Sequence, residues 1–99
     1  MLDKLTAADF TPYLNQFFKI HLESAETYAL ELISVQEQGN AYRPGGRRPF
    51  SLTFSNPRKD SFLAQGTYRL EHGQIGALDI FLVPLGPNQS GMRYEAIFS

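Results

Sequence analysis

Three arginines, Arg43, Arg47 and Arg48, stand in the stretch "YRPGGRRP" and supply a third of the chain's nine basic residues, so anion binding is the first chemistry to weigh. A guanidinium presents a planar fork of N–H donors that suits phosphate or carboxylate. The surroundings favour a plain turn: Pro44 then Gly45 fits the central positions of a type II turn. The phosphate-cradle spacing GxxxxGK[ST] is missing, and a strand follows where a helix N-terminus would be needed to hold the anion. Arg58 and Lys59 lie one strand further on, at about 3.3 Å per residue too far away to join the same patch. Being the longest connection, the arginine loop keeps its place as the candidate anion-binding loop.

The remaining reactive side chains are scattered. His21 and His72 fall on opposite faces by alternation, so no shared metal is expected. Asp79 and Glu95 fall on the outer face of the last two strands, where paired carboxylates would allow glycosidase-type acid and base work. Arg69 opposite Asp79 already accounts for that carboxylate as half of a surface ion pair. No GxSxG, HExxH or Ser/His/Asp spacing occurs, and the absence of cysteine removes thiol catalysis, disulfides and Cys-ligated zinc. The expectation is therefore a protein without enzymatic activity, metal or cofactor.

The elements that must position these residues read as strands, because apolar residues recur at every second position in one segment after another. "FFKIHLE" places Phe18, Ile20 and Leu22 on one face, and "TYALELISV" places Tyr28, Leu30 and Leu32 likewise. A three-residue loop would set Leu22 opposite Tyr28, Ile20 opposite Leu30 and Phe18 opposite Leu32, with Lys19 facing Glu31. In "TYRLEHGQIGALDIFLVP", a loop of Gly73, Gln74 and Ile75 sets Leu70 against Leu78, Tyr68 against Ile80 and Arg69 against Asp79. "PFSLTFS" points Phe50, Leu52 and Phe54 inward and Ser51, Thr53 and Ser55 outward. "MRYEAIF" points Met92, Tyr94, Ala96 and Phe98 inward, after the turn "LGPNQSG". By the same alternation Tyr28, Tyr68 and Tyr94 point inward and read as the rim of the core rather than as a base-stacking surface.

Two short helical pieces complete the reading. Thr6 with Asp9 three residues on caps a helical segment at about residues 6–14, kept short by Pro12. Asn56, Pro57 and Gly66 frame a helical turn that would drop Phe62 and Leu63 onto one end of the fold. The sum is an all-β domain, a small antiparallel barrel or tight sandwich of about six strands with a short N-terminal helix. No internal repeat is read along it.

Length and charge narrow the partners. Ninety-nine residues make one domain, 1–99, and a net charge of −1 gives no general attraction to nucleic acid or an anionic membrane. No apolar run approaches membrane-helix or signal-peptide length, so a cytoplasmic location is expected. What stands out is the second face of the fifth strand: Ala77, Phe81 and Val83 lie there with Ile97 on the sixth, where polar residues are the rule. Phe17, Ile33 and Val35 hold the matching face of the first hairpin. Three accounts fit: the N-terminal segment with Leu2, Leu5 and Phe10 covers the face, the sheet buries both sides, or another protein does.

The pieces "FSLTF", "QGTYRLEH", "LDIFLVP" and "YEAIF", in that order and spacing, resemble a family of short bacterial all-β proteins catalogued only as a domain of unknown function. The resemblance spans about half the chain directly and leaves the arginine loop outside it. It implies no catalytic residue, and it orders the hypotheses toward components of phage-tail-like or secreted assemblies. The leading expectation is a structural or protein-interaction module that docks on a protein partner or on itself through Phe81, Val83 and Ile97. The alternative is a small-anion or polyanion-binding module using Arg43, Arg47 and Arg48.

Overall fold

The computed structural model describes residues 5–22, 27–37, 49–57, 63–89 and 91–98. Thr6 caps a four-residue helix, α1 (Ala7–Phe10), which runs into a 3-10 turn at Thr11–Tyr13 that carries Pro12. The Asp9 carboxylate accepts hydrogen bonds from the Thr6 backbone N–H at 2.8 Å and the Thr6 hydroxyl at 3.2 Å. So short a helix has no stability of its own. It persists because Ala7 and Phe10 are buried in the core.

Six strands follow: β1 (Phe17–His21), β2 (Thr27–Glu37), β3 (Phe50–Asn56), β4 (Gly66–His72), β5 (Gly76–Asn88) and β6 (Gly91–Phe98). They form a closed antiparallel barrel in the order β1-β2-β3-β6-β5-β4, which decides between barrel and sandwich. Closure removes the free edges that an open sheet of this size would carry. Most inward residues read from alternation, among them Phe18, Leu30, Leu52, Phe54 and Ile80, are buried, while Leu22, Tyr68 and Leu78 are partly buried and pack against the core from its rim. At one end Phe10 plugs the barrel, its ring 5.8 Å from those of both Phe50 and Phe98, which stack on each other at 4.6 Å.

The core also holds a polar pair. The Tyr28 and Tyr94 hydroxyls lie 3.0 Å apart, and the Tyr94 oxygen accepts the Leu63 backbone N–H at 2.7 Å. Tyr94→Phe keeps the ring but orphans that N–H, so we expect a loss of about 1–3 kcal/mol in urea unfolding. A loss under about 0.5 kcal/mol would mean that water takes over the bond.

The register of the second hairpin is as read from the sequence: Leu70 pairs with Leu78, Tyr68 with Ile80 and Arg69 with Asp79. The first hairpin differs by two residues. Phe18 faces Leu30, Ile20 faces Tyr28, and Lys19 faces Ala29 instead of Glu31, whose partner is Phe17. Pairing extends back through Gln16, whose carbonyl accepts the Leu32 N–H at 3.0 Å, while Asn15 turns the chain with φ 68°. A slip of two preserves both faces, so alternation alone does not detect it.

The structure refines other expectations. Ser51 and Ser55 lie on the outer face yet are only 4% and 5% exposed. Each is a small side chain sunk between longer neighbours, Ser51 between Gln36 and Ile97, Ser55 between Glu31 and Arg93. Asn56 is the last residue of β3, and its side-chain amide donates to the Ala29 carbonyl at 2.6 Å, while the helical turn read after it falls largely on residues 58–62, outside the described residues. Gly66 opens β4 rather than ending a helix. Leu63 does pack against the core, whereas Phe62 lies outside the described residues. Finally, β5 runs on through Pro84 and Pro87 into what reads as a turn, with a bulge between Pro84 and Gly86.

The strand order is unchanged when β1–β3 are exchanged with β4–β6, so the barrel is two three-stranded meanders related by an approximate two-fold. The pairs Phe18–Leu30 and Ile20–Tyr28 have Tyr68–Ile80 and Leu70–Leu78 as counterparts. This repeat of architecture is absent from the plain reading of the sequence, because Phe for Tyr and Leu for Ile are equally good inward strand residues.

Candidate functional site

The outer face of β5 and β6 is built by a change of partner. Gly76–Leu82 of β5 pair with β4, and Val83–Asn88 pair with β6, the ladder between β5 and β6 stopping at Val83–Glu95. Phe81 and Ile97 stand two residues beyond that last pair, on the same outward parity of neighbouring strands. Their other neighbours are small: Thr67 lies beside Phe81 and Ser51 beside Ile97. Neither shields an aromatic or branched side chain. Phe81 is 50% exposed and Ile97 65%, while Val83 is half-buried. Leu85, the extra residue of the β5 bulge, adds a further exposed apolar side chain on the same strand.

The described part of the N-terminal segment does not cover this face. Phe10 enters the barrel end, and Leu5 packs against the core. Leu2 lies outside the described residues. A polar rim borders the patch, with Glu95 opposite Val83 and Arg93 next along β6. The Arg93 Nε is out of solvent and without a hydrogen-bond partner among the described residues, which is uncommon for a guanidinium nitrogen.

Asp79 and Glu95 are not brought together. Asp79 accepts from Arg69 Nε at 3.1 Å, whereas Glu95 lies opposite Val83, four residues further along β5 and thus about 13 Å away along the strand. His21 donates from Nε2 to Glu71 at 2.8 Å across the β1–β4 seam. His72 faces the barrel end, its ring 4.8 Å from that of Tyr13 and 4.9 Å from that of Phe18. Its Nδ1 accepts the Gln74 N–H at 3.0 Å, which leaves Nε2 to donate to Gln16 at 2.6 Å. Both ring nitrogens are thereby engaged in holding the end of the barrel. Among the described residues, no three of His, Asp and Glu converge as metal ligands. Arg43, Arg47 and Arg48 lie outside the described residues.

Two features escaped the sequence reading. One is Leu85, hidden in a segment that reads as a turn. The other is a cleft of about 410 Å³ beside the β1–β4 seam, bounded by Phe17 and Lys19 on one side and by Glu71 and the Gly73–Gly76 turn on the other. No local pattern signals it, because β1 and β4 are about fifty residues apart in the chain.

Residues 5–98 match the family described as Domain of unknown function (DUF6916). No curated protein and no solved structure matches the chain. Among the described residues, no helix is long and apolar enough to cross a membrane.

Proposed function

The chain belongs to the DUF6916 family, and from that premise we propose that it is a non-enzymatic protein-interaction module, a small closed barrel that docks on a protein partner or a second copy of itself through Phe81, Val83 and Ile97. The observation that carries this reading is the pair of large apolar side chains, 50% and 65% exposed, at the place where β5 leaves β4 for β6. An apolar centre with a charged rim is the usual anatomy of a protein interface. The earlier resemblance adds a place in a bacterial assembly to the proposal.

The test is solution mass by size-exclusion chromatography with light scattering, at low and high salt. We expect a defined oligomer that persists at high salt, since apolar burial is insensitive to screening. Phe81→Asp should dissociate it, the buried carboxylate weakening association by at least about tenfold. A monomer at both salts, with Phe81→Asp altering neither mass nor partner binding, would sink the assignment and turn attention to the Arg43, Arg47 and Arg48 loop.

A further inference from the structure

A second site stands apart from the Phe81 face, in the cleft at the β1–β4 seam. Its volume, about 410 Å³, lies in the range of small-ligand sites. The depression exists because Gly73, Gly76 and Ala77 put no bulk where neighbouring strands do, and a Cβ built on Gly73 or Gly76 would meet nothing within 4 Å. Phe17 rises beside it as an aromatic wall, 54% exposed.

The charges are arranged unusually. Lys19 and Glu71 are direct partners in the β1–β4 ladder, yet they form no ion pair with each other. Glu71 turns to His21 instead, at 2.8 Å, and Lys19 is left without an ion pair among the described residues. The cleft therefore offers one open cation, one carboxylate with acceptor capacity to spare, and an aromatic side chain lining the same depression. Opposite charges side by side with an aromatic wall complement a zwitterion that carries a ring.

We propose that this cleft binds a free aromatic amino acid, with its carboxylate on Lys19, its ammonium on Glu71 and its ring against Phe17 over the glycine turn. A singly charged ligand leaves one of the two protein charges unmatched, and an aliphatic amino acid gives Phe17 no stacking partner. The affinity is modest in so open a cleft, with a Kd on the order of 1 mM for a ligand of this size.

The experiment is an amide-shift titration by heteronuclear NMR, using L-tryptophan as the probe with tryptamine and indole-3-propionate as versions that each lack one charge. The expected result is saturable shifts at Phe17, Lys19, Glu71 and Gly73–Ala77, with each singly charged probe about fivefold weaker. Lys19→Met should weaken tryptophan and indole-3-propionate but leave tryptamine unchanged, and Glu71→Gln should do the reverse. Gly73→Phe fills the open volume and should abolish binding of all three while the spectrum stays dispersed. Absence of shifts at these residues up to about 10 mM tryptophan, shifts centred on Phe81 and Ile97, or indifference to Lys19→Met and Gly73→Phe would each overturn the proposal.

Discussion

Gly91→Ala is expected to destabilise the barrel by on the order of 4 kcal/mol, a large share of the roughly 5–15 kcal/mol available to a domain of this size. Two causes act together. Gly91 opens β6 at φ 139°, a backbone region that side-chain-bearing residues rarely enter. A Cβ placed there would also run into the Asn56 carbonyl and the Pro57 Cα, which are backbone atoms at the end of β3. Side chains relax around an added methyl group, whereas a paired backbone moves only by breaking its ladder. Gly76 and Gly86 supply the control, since both have positive φ, at 93° and 98°, but open space around the missing Cβ. Their alanine variants should cost only the conformational strain, about 1 kcal/mol each. Urea unfolding of the three variants separates the terms, and equal losses at all three would refute the steric account.

The second large effect is expected from Phe10→Ala, at about 3–5 kcal/mol. Phe10 is 1% exposed and touches both members of the Phe50–Phe98 stack, so its loss leaves a ring-sized cavity at the barrel end. The surroundings close such a cavity poorly, because the strands on either side are locked into ladders. Beyond the cavity, α1 loses the larger of its two anchors and has little local support left besides the Thr6–Asp9 contacts. Asp9→Ala, which removes only those contacts, should cost about 1 kcal/mol. Hydrogen exchange supplies an independent readout: protection should fall at Phe50 and Phe98 in Phe10→Ala and stay near wild type in Asp9→Ala. A loss no greater than that of Asp9→Ala would show that α1 lies on the barrel rather than sealing it.

How legible these features are depends on how many independent constraints meet at a residue. The β4–β5 hairpin is readable because a short turn, two apolar pairs and the Arg69–Asp79 pair all demand one register. At the β1–β2 hairpin the charge match of Lys19 with Glu31 points to the wrong register. What decides is the start of β1, set by the left-handed Asn15 and the bond from Leu32 to Gln16, neither of which alternation encodes. Phe81 and Ile97 stand out from the sequence as apolar residues at outward positions, which is a local property. The low exposure of Ser51 and Ser55, the length of β5 and the seam cleft depend on which strands become neighbours, and that is set by barrel closure.

The two meanders are joined by seams of unequal length, and this has a kinetic consequence. Contacts within each meander are comparatively local, whereas Phe54 must find Tyr94, 40 positions away, before the seven-pair β3–β6 seam can form. Loop-closure entropy opposes that encounter, so assembly of the halves should limit the folding rate and place this small chain among the slower two-state folders. The β1–β4 seam, with two ladder pairs and the His21–Glu71 bond, then closes last and opens first. The barrel should thus open along one line, and anything that fills the cleft beside that line would also act as its clasp.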